Sequence, residues 1–418
     1  MHARLRSLVP FPTPETRRLA LLFAIVYFAQ GMWYLPNQVV KAVLNDQRFT
    51  AGQIGTFFLV VTMAWNIKPV YGLISDFVPL FGRRRKSYFL LTTSLAAAAG
   101  LALAAMDSPS YVWVAAGMAT MGLGLAFTDV LTDALMVESG RAHRLTGAFQ
   151  SVQWAAIGAS TVLGGFAGGL LAEGRRLNAA FLLAAAFPFV SLFLAATFIR
   201  EARAARTRGA LTETWSAIRT ATRDQNLWVV AAFIFFWAFS PSFGAALFTY
   251  QTNVLKLSQS WIGTLDSITA VTGIVGAAVY APLSRRFSLK RLIVWAIEVA
   301  AVGTLAFLLY RDLVSAIAIH AVFGFIAQAT LLAFLDLAAR ACPRRVEATF
   351  FSLLMSVYNI GMSVSDATGG YLYDWLGYQP LVVISAAMTG LAIVFVPLVK
   401  IDRIEAHARA AADTPDPG

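Results

Sequence analysis

Apolar stretches of roughly 20 residues, the length that crosses a bilayer, recur along this chain with short charged blocks between them. They fall at about 17–43, 52–75, 87–106, 110–138, 146–172 and 177–199. A second set falls at about 226–252, 259–283, 291–309, 313–339, 346–372 and 379–399. Backbone polar groups find no water inside a bilayer, so such segments must fold as helices that satisfy themselves. Only 13% of the 418 residues are charged while 58% are hydrophobic, far from the balance of a soluble domain. The expectation is an all-α integral membrane protein with twelve transmembrane helices.

The net charge of +11 does not point to nucleic acid, because the basic residues sit in short blocks between apolar segments. Placing the N-terminus, alternate loops and the C-terminus on one side collects 26 of the 33 Lys and Arg there, against six on the other side. That bias predicts both termini in the cytoplasm. The stretch after Arg4, Arg6, Arg17 and Arg18 is too long for a signal-peptide core and reads as a retained first helix. Cys342 is the only cysteine, which excludes an internal disulfide and a cysteine metal site. His2, His143 and His407 fall in terminal or loop segments and His320 stands alone in a span, so no metal spacing appears. No phosphate loop ends in Gly-Lys-Ser/Thr. Neither enzyme chemistry, cofactor nor metal is expected.

The predicted organisation is a six-helix bundle over 1–199, a linker over 200–225, a second bundle over 226–400 and a tail over 401–418. Within the linker, Leu211, Trp215 and Ile218 share one helical face flanked by arginines, so it is either an amphipathic surface helix or a soluble connection. The halves resemble each other. Gly72-Leu-Ile-Ser-Asp76 with its basic run echoes Ala281-Pro-Leu-Ser-Arg-Arg, and Ala148-Phe-Gln-Ser151 echoes Thr349-Phe-Phe-Ser352. Each of the latter helices then reaches a glycine pair, Gly164-Gly165 and Gly369-Gly370. Six plus six helices in parallel repeats is the major facilitator plan, with solute bound near the midplane.

Charges inside the spans are the candidates for chemistry, because they are costly there. Lys68 precedes Pro69 within Ala64-Trp-Asn-Ile-Lys-Pro-Val-Tyr-Gly72 and lies roughly 12 Å along the helix from Asp76 at 1.5 Å per residue. It either contacts a substrate carboxylate or pairs with Asp129 or Asp133. Those two aspartates share one helix face, one turn apart. Neighbouring carboxylates resist ionising together, so one can carry a proton; the alternative is neutralisation by a basic neighbour. Asp266, Asp336 and Asp366 are the carboxylates considered for proton handling in the second half, with Glu298 read as packing. Gly72, Asp76, Arg83, Arg84, Arg85, Glu138, Arg141, Arg285 and Arg286 line the basic ends and form the expected gate.

Breakers mark the equivalent helices 1 and 7, at Gln30-Gly-Met-Trp-Tyr-Leu-Pro36 and Phe239-Ser-Pro-Ser-Phe-Gly244. Interruptions at matching positions free backbone groups toward a cavity. Around them, Trp33, Trp154, Phe243, Tyr250 and Tyr358 offer faces for a flat ring or serve packing. Gln30, Asn66, Gln153 and Asn359 offer amides to a ligand edge or join helices. With Pro241 and Lys68 these are the candidate substrate contacts.

Two blocks resemble the folate–biopterin transporter family of the major facilitator superfamily. The first is Trp65-Asn-Ile-Lys-Pro69 with Tyr71-Gly-Leu-Ile-Ser-Asp76, Pro79 and Gly82-Arg-Arg-Arg-Lys-Ser-Tyr88. The second is Asp129-Val-Leu-Thr-Asp133-Ala-Leu-Met-Val-Glu138-Ser-Gly-Arg141, running into Gly147-Ala-Phe-Gln-Ser151 and Trp154. Pro241-Ser, Tyr250 and Ile262-Gly-Thr-Leu-Asp266 follow in order, so the resemblance covers about residues 20–400. It implies a proton-coupled secondary transporter of folates or pterins. A monomer in a plasma (bacterial inner) membrane is the accompanying expectation. Two other readings stand beside it: a permease for another solute such as a muropeptide or drug, and a non-transporting assembly or sensor protein.

Overall fold

A computed structural model describes residues 11–107, 110–143, 145–199, 201, 216, 219, 223–342 and 347–406. The basic N-terminal residues Arg4 and Arg6, most of the 200–225 linker and the end of the tail lie outside the described residues.

The helices are α1 Pro14–Met32, α2 Leu35–Asp46, α3 Ala51–Val61, α4 Lys68–Phe77, α5 Lys86–Ala104, α6 Tyr111–His143, α7 Thr146–Glu173 and α8 Leu177–Phe198. They continue as α9 Gln225–Ala238, α10 Gly244–Asn253, α11 Gln259–Arg286, α12 Leu289–Leu305, α13 Leu313–Ala341, α14 Glu347–Leu376 and α15 Tyr378–Phe395. Short 3-10 turns at Met63–Ile67, Ala306–Leu309 and Val396–Val399 join or extend them. Every expected apolar segment is helical. Nine of these, counting Pro14–Asp46 as one, are long and apolar enough to cross a membrane among the described residues, or ten if the bent pair Ala51–Val61 and Met63–Phe77 is one span. The expected spans seven and eleven fold as α9–α10 and α14 but fall short of that measure. The first is broken into short pieces, and the second carries Asn359, Asp366 and Asp374 among its apolar residues.

The chain forms two compact units. One is built from Met1–Asp46, Val60–Arg208 and Gln259–Ser267; the other from Gln47–Leu59, Gly209–Ser258 and Ile268–Gly418. In the first, Leu22, Val26, Tyr88, Phe89, Leu131 and Leu194 form a buried cluster, with Phe127 stacked between Tyr71 and Tyr88 at 4.8 and 5.4 Å. In the second, the core gathers around Phe233, Ile293, Phe334, Phe350 and Leu354. Trp113, Phe193, Val302 and Leu398 are left exposed, as suits side chains facing lipid.

Lipid tails are as apolar as leucine, so helices in a bilayer associate through close packing and hydrogen bonds. A Cβ on Gly124 of α6 would lie 2.5 Å from the Thr92 carbonyl oxygen of α5, and Thr92 and Thr128 share a 2.8 Å hydroxyl contact across the same seam. Gly124→Ala is therefore expected to cost about 1–3 kcal/mol by overpacking, read as a melting temperature several degrees lower in detergent.

The repeat also proves to be registered differently from the expected glycine pairs. Gly369-Gly370 corresponds to Gly168-Gly169, not to Gly164-Gly165. Gly169 closes on the first turn of α11 (2.8 Å from a Cβ to the Gln259 oxygen) just as Gly370 closes on the first turn of α3 (2.5 Å to the Ala51 oxygen), whereas Gly164 faces open space.

Candidate functional site

Both proposed helix interruptions exist. The first span stops at Met32 and restarts at Leu35, with Trp33 and Tyr34 in the break. A third interruption sits in the second span. Pro69 lacks an amide hydrogen and has a ring that suits the first turn of a helix, so α4 starts at Lys68 after a 3-10 turn and departs from α3 by 42°. This re-aims Trp65, Asn66 and Lys68.

There Lys68 Nζ lies 2.6 Å from Asp129 Oδ2 on α6 and 4.8 Å from the Trp65 ring centroid. Asp129 is only 4% exposed, so the ammonium compensates a charge that would otherwise be very costly in the interior. Asp133, one turn further, is held by neutral donors: the Tyr27 hydroxyl from α1 and, at 3.3 Å, the Gln153 amide from α7. One cation thus serves two carboxylates. Trp33 packs against Trp65 at 5.6 Å, and both indoles approach Gly122, where any Cβ would lie 3.1 Å from Trp33 and 3.5 Å from Trp65 Nε1. Around this cluster Gln30 Oε1, Trp33 Nε1, Trp65 Nε1 and Asn66 Oδ1 are buried atoms without a hydrogen-bond partner. Each such atom costs about 1–3 kcal/mol unless water or a ligand meets it. Trp154 is exposed.

The interruption of helix 7 is built differently. Its freed carbonyls do not stay open: Ser365 Oγ donates to the Ser240 oxygen and Ser385 Oγ to the Pro241 oxygen. Asp366 Oδ1 accepts the Ala245 amide at 3.1 Å, capping the new helix α10 where a carboxylate is favoured. The expectation of open backbone groups at Pro241 is thereby corrected: small hydroxyl side chains from α14 and α15 occupy them. Tyr250 stacks on Tyr378 at 3.8 Å and donates to the Tyr310 oxygen; Phe243 stacks on Phe307; Tyr358 flanks Trp237. Asn359 is half-buried on α14.

Of the remaining carboxylates, Asp336 receives two bonds of 2.8 Å from Arg340 and one from Tyr280. Asp266 lies on α11, where Lys41 is the charged group that acts on it.

At the basic loop, Phe81 and Gly82 take positive φ, a conformation that glycine enters without strain. The turn brings Arg85 onto Asp76 at 2.7 Å, Glu138 at 3.0 Å and Ser75 at 3.0 Å. A Cβ on Gly72 would make ordinary contact with Val130 at 3.6 Å. Arg83 is half-buried, and Arg285 and Arg286 are exposed. The Arg141 side chain lies outside what the structure describes. Glu201 completes the loop: its carboxylate accepts the amides of Arg84, Arg85 and Lys86 at 2.8–3.2 Å, an anion at the start of α5.

Three residues escaped the sequence reading. Tyr27 sits in an apolar run and gives no signal beyond its hydroxyl. Glu201 follows a span by two residues, the only hint of a cap. His320, expected to stand alone, joins Thr269 (2.8 Å), Tyr310 (3.2 Å) and Gln251 (3.5 Å) in a buried cluster.

Comparison with known proteins fits this arrangement. A folate-biopterin transporter from Synechocystis is 30% identical over 87% of this chain and 76% of that one. A probable folate-biopterin transporter of Arabidopsis thaliana is 25% identical over 85% and 88%, and folate transporter 1 of Plasmodium falciparum 23% identical over 82% and 70%. Among solved structures, the nucleoside transporter NupG superposes with a TM-score of 0.71 at 13% identity, covering 91% of this chain and 98% of that one. The D-xylose-proton symporter gives 0.66 at 14%, covering 92% and 98%. These likenesses show a shared transporter fold. With the family model matching residues 30–415, this integral membrane protein belongs to the BT1 family of membrane transporters, not to any class of enzyme.

Proposed function

We propose that the chain is a secondary active transporter of folate- or pterin-like solutes that works by alternating access and is coupled to protons. Twelve crossings on the major facilitator plan, cytoplasmic termini, a monomer and a bacterial inner membrane complete the reading. The observation that carries it is the cluster of Lys68, Asp129 and Asp133 beside unpartnered Gln30, Trp33, Trp65 and Asn66. Two indole donors and two amide oxygens suit the mixed donor and acceptor edge of a pterin ring, and the indole faces suit its plane.

Asp133 is the proton carrier in this reading. Its donors are neutral, and the Tyr27 hydroxyl can donate to the carboxylate or turn to accept from the acid. Asp129 keeps Lys68 charged and aimed. Asp336 and Asp366 already hold an arginine and a helix start, so they act as structural anchors, while Asp266 remains the second carboxylate for proton entry. Asp76, Arg85 and Glu138 form the cytoplasmic gate. The support from relatives is that several carry folate or folate-biopterin in their names.

The test is uptake of labelled folate and biopterin into proteoliposomes with and without an inward proton gradient. Accumulation above equilibrium only with the gradient is the expected result; equal flux without it would remove proton coupling, and flux of neither solute would remove the substrate class.

A further inference from the structure

The ends of α7 and α14 carry the same pattern, Gly168-Gly169-Leu-Leu-Ala-Glu173 and Gly369-Gly370-Tyr-Leu-Tyr-Asp374. The starts of α3 and α11 match too, through Ile54-Gly55-Thr56 and Ile262-Gly263-Thr264. The structure brings these four pieces together in equivalent pairs, α7 with α11 and α14 with α3. Glu173 Oε2 accepts the Ser260 amide at 3.1 Å. Asp374 accepts the Ala51 amide at 3.1 Å through one oxygen and the Gly52 amide at 2.9 Å through the other. Below each carboxylate the glycines leave no room for a side chain. A Cβ on Gly263 would lie 2.2 Å from the Gly165 oxygen, and one on Gly55 2.8 Å from Ala367 Cα. These contacts explain why residues 259–267 and 47–59 each join the unit that holds the carboxylate facing them.

We propose that Glu173 and Asp374 are paired latches. Each holds the first turn of a neighbouring span by charge on a helix N-terminus, and each sits over a glycine seam that closes only while the latch is made. α3 and α11 both run from the latch toward a basic loop, so the latches lock the face opposite those loops, and releasing both opens it. Two observations support this independently of each other: the carboxylate bonds themselves, and the repetition of the acid after the glycine pair in both halves. Arg175 beside Glu173 bonds Asp46 at 2.6 and 3.0 Å; those bonds, with a smaller attraction from the Glu173 charge, raise its pKa. Near Asp374, Tyr371 bonds Thr56 at 3.1 Å. The proposal rests on the alternating-access reading above.

Ser267, buried in the α7–α11 seam with its hydroxyl on the Val162 oxygen, can report the state of the lock. In a Cys342→Ser background, Ser267→Cys should react slowly with a membrane-impermeant maleimide. Adding Glu173→Ala and Asp374→Ala should speed labelling tenfold or more. Glu173→Gln and Asp374→Asn, which keep an acceptor but lose the charge, should fall between. Unchanged labelling in variants that elute as monodisperse protein would overturn the latch. If the alanine pair fails to elute so, the amide pair alone decides by the same criterion. Uptake of folate and biopterin is measured in parallel. Faster labelling without flux of either would count against the substrate class and leave the latch standing; flux with unchanged labelling would do the reverse.

Discussion

Lys68→Met should abolish concentrative uptake and lower stability by about 3–5 kcal/mol, because removing one partner of a buried ion pair leaves the other charge uncompensated. Asp129 has no other cation among its observed bonds and is almost fully buried. Adding Asp129→Asn to Lys68→Met removes that charge as well. The pair should therefore recover most of the lost stability, as buried ion pairs replaced whole often do. It should not recover transport, because the indole–ammonium stack on Trp65 and the charge facing Asp133 are both gone. Melting temperature and uptake read together form a double-mutant cycle: stability restored without transport assigns Lys68 to the site. If Lys68→Met alone keeps both, the pair is incidental. Lys68→Arg adds a sharper test. Guanidinium keeps the charge but is planar and longer, so stability should survive while affinity drops.

How far this site could be read from residues alone depends on how local its signals are. Pro69 favours the first turn of a helix, and Lys68 before it in an apolar run is conspicuous, so the broken second span and its charge were legible. The partner choice between Asp129 and Asp133 was not, because both lie on one helix face and only the bend after α3 decides which one the ammonium reaches. The interruptions at Trp33-Tyr34 and at Ser240–Phe243 were legible from Gly and Pro. Their opposite characters were not: whether a freed carbonyl stays open depends on Ser365 and Ser385, more than a hundred residues away in sequence. The same holds for Glu201, whose amide partners precede it by four helices, α5 to α8. Long-range hydrogen bonds leave no period in the sequence. The repeat register was legible but misjudged: Ala148-Phe-Gln-Ser151 and Thr349-Phe-Phe-Ser352 lie 201 positions apart, an offset that carries Gly168-Gly169 onto Gly369-Gly370. Glycine pairs occur more than once in α7, and both pack on α11 through Gly165 and Gly169.

The second large effect is expected at Asp133. Asp133→Asn should leave solute binding and exchange intact while removing accumulation driven by a proton gradient. The asparagine keeps the acceptor oxygen used by Tyr27 and Gln153 but cannot gain or lose a proton, so the coupling step is lost and the binding cluster around Lys68 stays assembled. Counterflow of labelled folate against unlabelled folate should then persist, with its rate no longer dependent on the gradient. Tyr27→Phe probes the same step from the other side. It takes away the hydroxyl that donates to the carboxylate and can turn to accept from the acid, without touching charge. Its expected signature is a displaced pH dependence of uptake with transport retained, whereas a merely structural tyrosine would lower melting temperature and leave the pH profile in place. Asp129→Asn is the necessary contrast. It strands Lys68 in the same cluster, so exchange as well as accumulation should fall. If Asp129→Asn and Asp133→Asn behave alike, the division of labour between the two carboxylates is wrong, and both share a single proton. If Asp133→Asn still accumulates solute on a gradient, the coupling proton travels elsewhere, and Asp266 becomes the next carboxylate to neutralise.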